Sequence, residues 1–75
     1  IKIKFRNSNL ENLNKLENIL NKINIIDKFS LEEITINDAF FKIYYYGNPK
    51  KLKTKLLRFD YKLKSYQGNW EIKYD

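Results

Sequence analysis

Seven residues of this 75-residue chain stand in a pattern suited to recognising anions and aromatic rings: Lys2, Lys4 and Arg6, then Phe40, Lys42, Tyr44 and Tyr46. Each set occupies alternate positions of a short run. Alternate positions of a β-strand share one face, so each run would line one side of a sheet with cations and rings. A ring offers its face to an unpaired base and a cation offers charge to a phosphate, which is how sheet surfaces hold single-stranded nucleic acids. The same residues have a plainer reading. Tyr and Phe are good strand formers, and Lys keeps an exposed sheet from aggregating. A partner domain or a second copy of the chain would also cover such a surface, since monomers rarely leave large aromatic patches open. The Asp38–Tyr45 run also lacks the Gly that RNA-recognition domains place before their aromatics.

Catalytic chemistry has little to work with. The sequence contains no His and no Cys, which removes the commonest general base, thiolate nucleophiles and most zinc sites. Glu32 and Glu33 are neighbours on an expected strand and should point to opposite faces. Glu11 and Glu17 are too far apart on an expected helix to share a site, and Asp60 stands at a helix end beside Tyr61. No pair is spaced for general acid–base work or for a hard cation. Gly47-Asn48-Pro49 has one glycine, too few for a phosphate loop, and reads as a helix cap. The expectation is therefore no catalytic residue, no metal and no cofactor.

The formal charge of +6 points to an acidic partner, whether nucleic acid, an anionic membrane surface or an acidic protein. Composition supplies a second explanation. Lys, Asn and Ile account for 33 of the 75 residues and Lys outnumbers Arg 13 to 2, as an AT-rich coding sequence would produce. Phosphate sites favour Arg for its bidentate geometry, so its scarcity supports the compositional account. No run of eighteen apolar residues and no signal-peptide pattern occur, so the piece reads as soluble. It opens at Ile1 inside what already reads as strand, the mark of a fragment of a longer protein or of a mature product.

The elements that would position these residues follow from periodicity. Ile1 to Arg6 alternates as a strand, with Ile1, Ile3 and Phe5 on one side. Asn7-Ser8-Asn9 breaks it, and Ser8 with Glu11 forms a capping box for an amphipathic helix running from Leu10 to Ile23. Asn24 to Lys28 connects to a strand at Phe29–Asn37, which carries Ile34 and Ile36 on one side. Asn37-Asp38 turns into the strand Ala39–Tyr46, the most aromatic and β-branched in the chain. Asn48 and Pro49 start a second helix that reaches Phe59 or Asp60. Leu52, Leu56 and Phe59 line its inner face. Lys50, Lys51, Lys53, Lys55 and Arg58 line the rest, a solvated face or a contact for anionic lipid. Tyr61 to Gln67 alternates, Gly68-Asn69 turns, and Trp70, Ile72 and Tyr74 form a final strand opposite Glu71, Lys73 and Asp75. The Tyr61–Gln67 run can pair with that strand as a short hairpin.

The order β-α-β-β-α-β predicts one domain over residues 1–75: a ferredoxin-like α+β sandwich with a four-stranded antiparallel sheet and two helices on one face. Its first and third strands should be central and adjacent. Ile1, Ile3, Phe5, Phe41, Ile43 and Tyr45 then face the helices, and the seven residues named first face outward.

The pattern resembles the C-terminal part of a proteobacterial family, the domain of unknown function numbered 2066. The likeness lies in the leading strand, the Leu-rich helix Leu10 to Ile23 and the connection through Ile25-Ile26. It continues in the strand ending Tyr46-Gly47-Asn48, the Leu-spaced second helix and the late Trp70-Glu71-Ile72. It covers nearly the whole chain and its motifs are structural. It implies a ferredoxin-like domain of unknown function in a bacterial, exported parent, and it carries over no catalytic residue. The resulting expectation is a non-catalytic structural or protein-interaction module that packs against other domains of its parent, a protein partner or a second copy of itself. Single-stranded nucleic-acid binding on the open sheet face is the alternative.

Overall fold

The computed structural model describes residues 1–6 and 9–74. The strands are β1 (Lys2–Arg6), β2 (Ile26–Ile34), β3 (Asp38–Tyr45), β4 (Tyr61–Tyr66) and β5 (Asn69–Tyr74), and the helices are α1 (Leu10–Lys22) and α2 (Pro49–Leu57).

Local chemistry explains where each helix begins. Asn48 accepts a hydrogen bond from the Lys51 backbone N–H at 2.9 Å, and Pro49 opens α2 where its missing N–H is not needed. At α1 the cap is Asn9, whose side-chain oxygen accepts from the Asn12 N–H at 2.8 Å. The expected Ser8–Glu11 capping box falls on Ser8, which with Asn7 and Asp75 lies outside the described residues. The β4–β5 turn follows from backbone freedom. Gln67 and Gly68 both have positive φ, 51° and 81°, the geometry of a two-residue turn whose twist suits a hairpin.

The sheet corrects the four-stranded antiparallel expectation. It has five strands in the order β2-β3-β1-β5-β4, and it is mixed. β1 lies antiparallel to β3, with Lys4 opposite Phe40, and parallel to β5, with Lys4 opposite Glu71. The Tyr61–Tyr66 run is a full strand paired antiparallel with β5 from Tyr61↔Tyr74 to Tyr66↔Asn69. The hairpin itself has a local reason. Once Gln67-Gly68 makes a tight turn, six residues on each side are long enough to form a ladder, and β5 then takes the open edge of β1.

The core lies on one face of this sheet. Ile3, Phe5, Ala39, Phe41, Ile43, Leu63 and Ile72 join Leu13, Leu16 and Leu20 of α1 and Leu52 and Leu56 of α2 in a single buried cluster. Ile1, Tyr45, Phe59 and Trp70 pack against it half-buried. Both helices therefore cover the same side, and the inward set expected from alternation is the one observed. β2 departs from expectation. It begins at Ile26 rather than Phe29 and ends at Ile34, and Thr35 closes the turn by bonding to Asp38. Ile34 and Ile36 stay open to solvent, Ile36 at 93% exposure, because the hairpin end runs past the region the helices cover. No helix among the described residues is long and apolar enough to cross a membrane.

Candidate functional site

The face turned away from the helices collects just over half of the cations. On β1, Lys2, Lys4 and Arg6 alternate with the buried Ile3 and Phe5. β3 adds Lys42 next to Phe40 and Tyr44, and β2 adds Lys28, which is in register with Tyr44. Lys62 and Lys64 alternate with inward Tyr61 and Leu63, and Lys73 follows inward Ile72. Eight of the fifteen Lys and Arg residues thus stand on one surface. Glu33, Asp38 and Glu71 share it. Glu32 sits at a β-bulge between Leu31 and Glu33, close enough to act electrostatically on Lys42. The bulge interrupts the simple alternation of the strand at this point. Even with all four carboxylates ionised, the face carries an excess of positive charge.

Two rings on this face, Phe40 and Tyr44, are already in contact with cations. The Lys2 ammonium sits 5.7 Å from the centre of the Phe40 ring. Lys28 and Lys42 approach the Tyr44 ring at 4.9 and 5.4 Å. These are cation–π distances, and they lay the lysine stems across rings that would otherwise be bare. A hydrogen bond with Tyr44, helped by the charges of Tyr44 and Glu32, raises the Lys42 pKa above its ordinary value, so this ammonium stays charged well into the alkaline range. Two ion pairs hold other members in place. The Arg6 guanidinium meets Glu71 at 2.8 Å, and Lys4 lies 3.7 Å from Asp38. Both pairs are partly open to solvent and contribute little to stability.

A groove of about 730 Å³ crosses this face over β1. Lys2, Lys4 and Arg6 form its floor and Phe40 one wall. The tip of the β4–β5 hairpin, from Tyr66 through Gly68 to Trp70 and Glu71, forms the other. Four of the seven residues expected to share a surface, Lys2, Lys4, Arg6 and Phe40, line the groove. Lys42 and Tyr44 form an adjoining cluster toward β2. Tyr46 lies beyond the end of β3, where its backbone N–H donates to the Ile25 carbonyl at 2.8 Å, and its side chain is exposed outside the groove. A smaller hollow of about 370 Å³, between the end of α1 and the start of β2, has no row of cations.

Sequence reasoning missed the hairpin wall. Tyr66, Trp70 and Glu71 reach the groove only because β5 lies beside β1. The signal was present in the strict alternation of Tyr61, Leu63 and Ser65 with Lys62, Lys64 and Tyr66, ending at a Gly turn. Among the described residues no three His, Cys, Asp or Glu gather where they could hold a metal ion. No protein-family model, curated protein or solved structure matches the chain.

Proposed function

We propose that this chain is a non-catalytic interaction module that docks an acidic partner on the uncovered face of its sheet. The observation that carries this reading is the placement of eight of the fifteen cations on that one surface, opposite the helices. Coding bias explains why the chain has many lysines. It does not explain why three cations stand in a row along the floor of a groove. A second copy is a poor occupant, because two such faces would bring like charges together. The resemblance to the domain of unknown function numbered 2066 implies no activity and is compatible with a binding role inside a larger protein.

The scaffold for this role is a ferredoxin-like βαββαβ frame with one strand inserted. Leaving β5 aside, the order becomes β2-β3-β1-β4, and β4 runs antiparallel to β1, the arrangement of a split βαβ fold. In this reading β5 pushes β4 one place outward, widens the open face and builds the second wall of the groove.

Charge reversal tests the docking reading. The double substitution Lys42→Glu with Lys64→Glu should lower the salt concentration at which the chain elutes from an immobilised polyanion such as polyglutamate or heparin. Lys50→Glu with Lys53→Glu on α2 changes net charge equally and should shift elution far less. Equal shifts would mean that only total charge matters and would sink the proposal.

A further inference from the structure

We infer that the groove over β1 binds single-stranded nucleic acid, with phosphates along its cationic floor and unpaired bases against Phe40 and Tyr66. The inference rests on the reading of the open face as a docking surface and names the occupant of one part of it.

Three features select this chemistry. The first is the floor. Alternate residues of a strand stand about 6.6 Å apart, so Lys2, Lys4 and Arg6 present charges at intervals comparable to successive phosphates of an extended strand. The second is the pair of walls. Phe40 stands on β3 on one side, half-buried under the Lys2 ammonium, which must turn to a phosphate before a base can stack there, and on the other Tyr66 stands at the foot of a turn with Gln67 and Gly68 in left-handed geometry. Tyr66 is 74% exposed, so its ring is accessible to a base. The third is width. From β3 across β1 and β5 to β4 is three strand spacings, about 14 Å, which suits one strand better than a duplex. Rings on the walls can also stack only on bases that are not already paired.

An acidic polypeptide would satisfy the floor but gain nothing specific from the rings. The two ion pairs do not block the site. Lys4–Asp38 and Arg6–Glu71 are partly exposed, and a phosphate competes with a carboxylate for the same donors.

The experiment is a set of anisotropy titrations at low salt with three labelled probes matched in charge: a thymidine oligomer, an abasic oligomer of the same length, and polyglutamate. The thymidine oligomer should bind at least about fivefold more tightly than the abasic one, the minimum expected for one stacked base. Its affinity should fall steeply with added salt. Tyr66→Ala should remove most of the difference between those two probes while leaving the circular dichroism spectrum unchanged. Lys4→Glu should weaken both nucleic-acid probes. If all three probes bind alike, or if Tyr66→Ala changes nothing, the surface is a general polyanion site; the inference is overturned and the docking reading stands. If no probe binds, both fall.

Discussion

Phe40 and Phe41 are the same residue type, adjacent in β3, and they live in different environments. Phe41 is fully buried, with its ring edge-on to Phe29 at 6.2 Å and the core cluster around it. Phe40 lies on the opposite side, half-buried, with the Lys2 ammonium over its ring. The contrast extends to the whole sheet. The covered face holds apolar side chains, and no polar or charged residue is fully buried among the described residues. The open face interleaves rings with cations whose alkyl stems shield the rings and whose heads stay in water. One alternating pattern has therefore built an apolar covered face and an open face of cations and rings. The covered face is constrained by volume and the open face by charge.

The sharpest way to break this comparison is to truncate each ring in turn. Phe41→Ala should destabilise the fold by about 3–5 kcal/mol, since it empties a packed site. Phe40→Ala should cost less than about 1 kcal/mol, because solvent and lysine stems fill the space. Urea denaturation of the two variants measures both, and equal losses would mean that the faces are not distinct. A smaller effect is expected at Asn48→Ala, about 1 kcal/mol in the same assay, because α2 covers the inner face only while its first turn is capped.

Smaller still is an effect confined to alkaline solution. Burial, reinforced by the charge of Tyr74, raises the Tyr61 pKa above its ordinary value. A phenol that resists ionisation in the folded state contributes stability below its unfolded pKa, near about 10. That contribution is lost as the pH rises through the raised folded value. Tyr61→Phe should accordingly match the parent at neutral pH and lose less stability than it above about pH 10, followed as thermal midpoints across pH. The least change in stability, within about 0.5 kcal/mol, is expected for Glu71→Gln, which opens a partly exposed ion pair with Arg6. The same substitution should strengthen retention on a polyanion matrix, because it removes a negative charge and frees a guanidinium. Weaker retention would show that Glu71 holds Arg6 in a binding posture rather than competing for it.

Much of this was legible in the residues. Alternation in Ile1–Arg6 and Ala39–Tyr46 separated inward from outward side chains correctly, because strand geometry is a local property. Asn48-Pro49 marked a helix start for the same reason, since a cap needs only the first turn. The strand expected to run to Asn37 ends at Ile34, and its last apolar residues stay exposed. Whether a pattern is buried depends on where the helices lie, and they do not cover that end of the hairpin.

What the sequence determined by itself was the two helices, four of the five strands, the inward and outward identity of each central strand, and a composition without His or Cys. What the tertiary structure alone decided was adjacency. The β4–β5 hairpin places β5 parallel against β1, and only that pairing brings Tyr66, Trp70 and Glu71, some sixty residues downstream, to the edge of the Lys2–Lys4–Arg6 row. Hydrogen-bonding edges of strands are chemically alike, so which edge finds which is settled by how the whole chain closes over its core. The groove is a product of that closure.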